Sequence, residues 1–175
     1  MVSSPDRHIA IVGPMGSGKT ALGTLLAEEL GRMFLDSDQQ ILERTGCTGR
    51  DLAETYGVPH LHELEREVFF EAIAHTEPVV VAAAASVIED AKVRDALSRV
   101  LCISLEAEPA ILAERAAVGG GRRLVTEAEA DRLARRTSLF NACADLTIHT
   151  DAGTPRDAVD MIVHGPPLRR RPTPR

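Results

Sequence analysis

The sequence predicts an α/β protein with three layers, a parallel sheet held between helices on both faces. Three observations carry this expectation. Short apolar runs alternate with segments of helical period along the whole chain. A glycine-rich turn joins the first apolar run to the first helical segment. Hydrophobic residues make up 44% of the chain and aromatics only 3%, so the core must be built from Leu, Ile, Val and Ala. The length of 175 residues fits one domain, with no internal repeat.

His8 to Val12 reads as a buried strand that stops at Gly13. Leu22, Leu25, Leu26 and Leu30 then recur at helical spacing, and Gly31 ends that helix. Met33 to Leu35 is a second strand, stopping at Asp36. Gln39 to Tyr56 reads as short helical pieces broken by Gly46 and Gly49, and Leu61, Leu64, Val68 and Ala72 mark a longer helix. Pro78 to Ala83 is a third strand, residues 90–98 a short helix and Val100 to Leu105 a fourth strand. Pro109 opens a helix ending near Val118, and Thr126 with Glu129 fits a capping box for the next. Leu146 to His149 is a fifth strand, and Thr154 followed by Pro155 opens a last helix.

Charge and composition narrow the function. The formal net charge is −6, and without the four arginines of the last seven residues the remainder carries −10. An acidic body repels nucleic acid, so no nucleic-acid partner is expected, and an anionic ligand needs a local positive site. Cys47, Cys102 and Cys143 have neither zinc nor disulfide spacing and read as reduced thiols. The N-terminus carries no charged leader with a following apolar run, and no stretch approaches the ~20 apolar residues of a membrane span. A cytoplasmic, monomeric enzyme without membrane partners is the expectation. Residues 1–165 form the domain, and the Pro- and Arg-rich residues 166–175 read as a disordered basic tail.

Gly13-Pro-Met-Gly-Ser-Gly-Lys-Thr20 matches the phosphate-binding pattern of two glycines, Lys and Ser/Thr at fixed spacing. It follows a predicted strand and opens a predicted helix, as that chemistry requires. The backbone from Gly13 through Met15, Gly16, Ser17 and Gly18 to Ala21 would aim N–H groups at phosphate oxygens. Lys19 would place a point charge on the β- and γ-phosphates, and the Thr20 hydroxyl would ligate Mg²⁺. The chain has 18 arginines and only two lysines, Lys19 and Lys92, so a lysine here is a selective choice. ATP and Mg²⁺ are the expected cofactors.

Asp36 and Asp38 follow the second strand, at the sheet edge where parallel sheets bind ligands. Asp36 suits Mg²⁺, and Asp38 suits the proton of an attacking hydroxyl. The alternative is that Ser37 or Asp38 caps a helix beginning at Gln39. Arg115, Arg122 and Arg123 flank Gly119-Gly-Gly121, which fits a lid over about 116–126 that neutralises charge on a moving phosphoryl group. The alternative there is a solvated loop. Arg136 is a candidate substrate contact.

With these motifs the sequence resembles the shikimate kinase family of P-loop kinases from about His8 to Val163. The likeness rests on the phosphate loop, Phe34 to Asp38, Gly46 through Glu65, Arg122 to Val125, Arg136 to Phe140 and Ala144 to Thr147. It implies five parallel strands in the order 2-3-1-4-5 with a mobile lid. It implies Asp36 near Mg²⁺, Asp38 on the acceptor hydroxyl, Arg122 as the lid arginine, Arg136 as a substrate arginine and Arg115 against adenine. The family's substrate arginine before the long helix is His62 here, and its three glycines after the third strand are Ala83, Ala84 and Ala85. A family tyrosine is Phe140. The nucleotide half is intact and the acceptor half altered, so the acceptor is expected to be a small molecule other than shikimate, or shikimate used poorly. A module that binds ATP without transferring phosphate is the competing expectation. A GTPase switch lacks its Asn-Lys-x-Asp and Asp-x-x-Gly signatures in this sequence.

Overall fold

The computed structural model describes residues 7–118 and 127–165. Its five strands are β1 (Ile9–Val12), β2 (Phe34–Asp36), β3 (Val80–Ala82), β4 (Leu101–Glu106) and β5 (Leu146–His149). They pair in parallel in the order β2-β3-β1-β4-β5, the order the resemblance implied. The helices are α1 (Lys19–Leu30), α2 (Ser37–Thr45), α3 (Gly49–Tyr56), α4 (Val58–Ile73), α5 (Ala91–Leu97), α6 (Pro109–Val118), α7 (Glu127–Cys143) and α8 (Pro155–His164).

The continuous apolar runs of the strands follow from burial on both faces. Ile9 and Ile11 pack with Leu22 and Leu26 of α1 and with Val159 and Ile162 of α8. Ala10 and Val12, one pleat across, pack with Phe69 of α4, Leu97 of α5 and Phe140 of α7. Phe140, the residue at the family's tyrosine position, is thus core.

The register positions the site. Ile11 lies beside Ala82 on one side and Ile103 on the other, and Asp36 lies beside Ala82. The chain leaving β1, β2 and β3 therefore emerges on one edge, carrying the phosphate loop, Asp36 to Asp38 and Ala83 to Ala85.

Two local expectations are corrected and one element is new. Gly49 does not break a helix; it is the first residue of α3, because Thr48 and Asp51 form a capping box just before it. Helix α2 starts at Ser37 rather than Gln39, and its cap is Asp36, whose carboxylate accepts from Asp38 N and Gln39 N. A 3₁₀ turn at Val87–Glu89 carries the chain from β3 toward α5, where the sequence offered no periodicity to announce it. The Thr154 cap is as expected, with Asp157 completing its box. Cys47, Cys102 and Cys143 are free thiols. Among the described residues no helix is long and apolar enough to cross a membrane. The Thr126 capping box, the lid from residue 119 onward, with Arg122 and Arg123, and the tail lie outside the described residues.

Candidate active site

The phosphate loop is shaped by where side chains are impossible. Gly13 has φ 144°, and a Cβ there would stand 2.6 Å from the Leu105 carbonyl oxygen of β4. Only glycine lets the chain leave β1 so close to its neighbour. Gly18, at φ 93°, then turns the chain directly into α1. No side chain caps α1 and no acidic residue stands in its first turn, so its leading N–H groups meet an incoming anion without competition. Met15 is exposed at the loop tip, while Ser17 is buried with a hydroxyl that has no hydrogen-bond partner.

Lys19 curls over this loop. Its Nζ donates to Gly13 O at 2.9 Å and Pro14 O at 3.0 Å. Burial pulls the ammonium down to about 8, and Asp38, Asp36 and Glu65 oppose that fall. A cation held in a desolvated site beside three carboxylates is poised for an anionic ligand.

Thr20 and Asp36 meet across the site. Thr20 Oγ1 donates to Asp36 Oδ2 at 2.7 Å, while Asp36 Oδ1 caps α2 through Asp38 N at 3.0 Å. Asp36 thus caps α2 with one oxygen and meets Thr20 with the other, whereas the sequence offered Ser37 or Asp38 as the cap. Asp38 projects into the same space, and its carboxyl is pushed up by burial and then by the Asp36 charge, with Lys19 opposing.

These residues fit Mg²⁺ and a nucleoside triphosphate. A hydroxyl and a carboxylate oxygen 2.7 Å apart are hard oxygen ligands. Among the described residues no group of three or more His, Cys, Asp and Glu could enclose a metal alone. Mg²⁺ takes one or two protein oxygens and completes its shell with phosphate and water. Arg115 is anchored at the carboxyl end of β5, donating to Thr150 O at 2.7 Å and Thr150 Oγ1 at 3.0 Å.

The acceptor side contains residues the sequence did not single out. Glu65 of α4 is buried and accepts a hydrogen bond from Ser86; burial pushes its carboxyl up, and Asp38 adds to the rise. A cavity of about 220 Å³ is lined by His62, Arg66, Ser86, Val87, Glu89 and Asp90. Arg136 reaches Glu89 at its margin, Nε to Oε1 at 3.0 Å, and Arg135 reaches the same oxygen at 2.6 Å. Arg66 pairs with Asp90 at 3.6 Å. His62 is held below its ordinary value by burial first, then by the Arg136 charge, so it is neutral at pH 7.

Ala83 and Ala84 are 1% and 8% exposed and pack with Val12, Phe69 and Phe140. Their methyl groups face the core, so Ala85, half-buried, is the member of the run with surface to offer. No non-glycine residue among those described has positive φ, and the run is accommodated without backbone strain. Of the acceptor-side residues, periodicity marked only the core positions; Glu65, Ser86 and Glu89 carried no signal beyond being polar residues near the ends of apolar segments.

A glycine-walled phosphate loop, a lysine over it and a Thr–Asp oxygen pair at one edge of a parallel sheet define a P-loop phosphotransferase. The sequence profile described as shikimate kinase matches residues 15–165, and the chain belongs to the shikimate kinase family. It is 35% identical to the shikimate kinase of Thermobifida fusca over 162 residues, covering 90% of this chain and 94% of that protein. It is 32% identical to the shikimate kinase of Pseudomonas fluorescens, covering 92% and 99%. The crystallised shikimate kinase of Acinetobacter baumannii, in complex with shikimate, superposes with a TM-score of 0.79 at 32% identity, over 90% of this chain and 91% of that one. The protein is accordingly an ATP-dependent small-molecule kinase.

Proposed function

We propose that this kinase uses Mg·ATP to phosphorylate a hydroxyl of a small polyhydroxylated molecule seated between Asp38 and the His62 cavity. The Thr20–Asp36 contact of 2.7 Å carries the reading, because it sets two oxygens suited to a metal beside Lys19 and two positions before Asp38. Bound Mg·ATP supplies the transferable phosphoryl group and the metal charge on its oxygens.

The chain's own residues do the rest. The loop from Gly13 to Ala21 orients the phosphates through backbone N–H groups. Lys19 leaves the Gly13 and Pro14 carbonyls to neutralise the phosphate oxygens. Thr20 and Asp36 hold the metal. Asp38 accepts the proton of the attacking hydroxyl, and Arg122 offsets charge on the moving group. Arg115 lies against the base. Arg136, His62 and the backbone at Ala83 to Ala85 border the acceptor. The protein acts as a cytoplasmic monomer.

His62 stands in place of a family substrate arginine, and a neutral imidazole holds a carboxylate poorly. Shikimate is therefore at most a weak acceptor. A coupled ADP-release assay over shikimate, cyclitols and gluconate tests the reading. Acceptor-dependent ADP release that vanishes in Lys19→Ala is expected. Mg·ATP binding with no release for any acceptor would reduce the protein to a binding module.

A further inference from the structure

The cavity lined by His62 and Arg66 is bordered by arginines, and Arg66, Arg135 and Arg136 are each matched by a carboxylate from within the chain. Glu89, at the end of the 3₁₀ turn, accepts from Arg136 Nε at 3.0 Å and from Arg135 at 2.6 Å through a single oxygen. Asp90 stands 3.6 Å from Arg66. The Arg136 side chain is 18% exposed and that of Glu89 27%, so this pair is screened far less than a surface pair. His62 adds a ring without charge.

Glu89 and Asp90 both line the cavity, beside His62, Arg66 and Ser86. Burial raises the Glu89 carboxyl, but the Arg136 hydrogen bond and the charges of Arg136 and Arg135 outweigh it and hold it below the ordinary carboxylate value. A carboxylate entering this space would have to displace Glu89 from Arg136 and then sit beside two fixed carboxylates. Like charges in a partly desolvated site repel, and this repulsion selects against an anionic acceptor. Hydroxyl groups meet no such barrier. Each donates one hydrogen bond and accepts others, matching walls that set acceptors (Glu89, Asp90 and the Ser86 oxygen, whose proton goes to Glu65) beside the Arg66 donors.

We infer that Glu89 acts as a built-in counter-ion for Arg136, so that the acceptor subsite takes an uncharged polyol and rejects a carboxylate-bearing one. This rests on the kinase reading above and narrows its acceptor. Glu89 is a specificity-determining residue, and the 3₁₀ turn is the device that delivers it.

The experiment compares two ligands that share ring and hydroxyls: shikimate, and its analogue with a hydroxymethyl group in place of the carboxylate. Affinity for the full-length protein loaded with Mg·ADP is measured by titration, and kcat/KM by ADP release. The neutral analogue is expected to lead by about tenfold or more in both, and Glu89→Gln should shift the ratio toward shikimate by a similar factor. Glutamine keeps the shape and a hydrogen-bond acceptor, so a misfolded variant is not expected; circular dichroism checks this. Tighter binding of shikimate by the wild-type protein, binding of neither ligand, or an unchanged ratio in Glu89→Gln would each overturn the inference. Absence of ADP release would count against the kinase reading alone, because the binding ratio is read without turnover.

Discussion

Thr20 Oγ1 and Asp36 Oδ2 lie 2.7 Å apart, joining the start of α1 to the end of β2 across the edge of the sheet. Asp36 also caps α2 with its other oxygen. These two jobs separate by substitution. Asn is as good a cap as Asp, so Asp36→Asn should leave stability within a few tenths of a kcal/mol, whereas Asp36→Ala should lose about 1 kcal/mol. Both should lower kcat/KM by about a hundredfold or more through the lost metal ligand. Urea unfolding and Mg²⁺-dependent kinetics of the two variants check this.

Lys19 is kept charged against its surroundings until a ligand arrives. Its depressed value, about 8, means that the folded protein binds fewer protons than the unfolded chain between there and about 10.4. The fold therefore bears the full penalty below pH 8 and is relieved of it as pH rises toward the unfolded value. Discounted for solvent, Lys19→Met should stabilise the ligand-free protein at pH 7 by on the order of 1–2 kcal/mol, a gain that disappears near pH 10.5. Denaturation of both forms across that range measures it, while ADP release by Lys19→Met should be abolished.

Asp38 predicts a pH profile. Burial, reinforced by Asp36, keeps its carboxyl protonated to higher pH than an ordinary aspartate. As proton acceptor it must be ionised, so kcat falls as pH drops through that raised value. The acid limb of kcat against pH should lie above the usual aspartate range. Asp38→Asn should erase the limb and lower kcat by about a hundredfold or more. The profile of kcat at saturating substrates checks both.

The two bends of the loop differ in what they tolerate. Gly13→Ala puts a methyl 2.6 Å from the Leu105 carbonyl, at a φ of 144°. Gly18→Ala meets nothing within 4 Å and bears only the strain of φ 93°. Gly18→Ala should cost about 1–2 kcal/mol, and Gly13→Ala more, since β1 and β4 must part to admit it. Thermal unfolding of the two variants ranks them.

Sequence legibility tracked physical period. The strands, α1 with its loop, and the Thr154 cap were readable because burial on both sheet faces leaves apolar runs and caps leave side-chain signatures, while the strand order came from the family resemblance. Ser37 and Asp38 were candidate caps by residue type, but Asp36 capped instead, because strand and helix abut with no linking residue. Gly49 read as a breaker on composition alone, and the Thr48–Asp51 box overrode it. Glu65, Glu89 and Asp90 were invisible because their roles come from partners 21 to 47 residues away, such as Ser86 and Arg136, which only the folded chain brings together. The three alanines looked obstructive in sequence, where the direction of a methyl group cannot be read; in the fold two of them point into the core.

Isothermal titration of the full-length protein with ATP in the presence of Mg²⁺ tests the phosphate cradle most directly. One site of micromolar-range affinity is expected, lost in Lys19→Ala while circular dichroism stays native. A flat titration of the folded wild-type protein, or undiminished binding in Lys19→Ala, would contradict it.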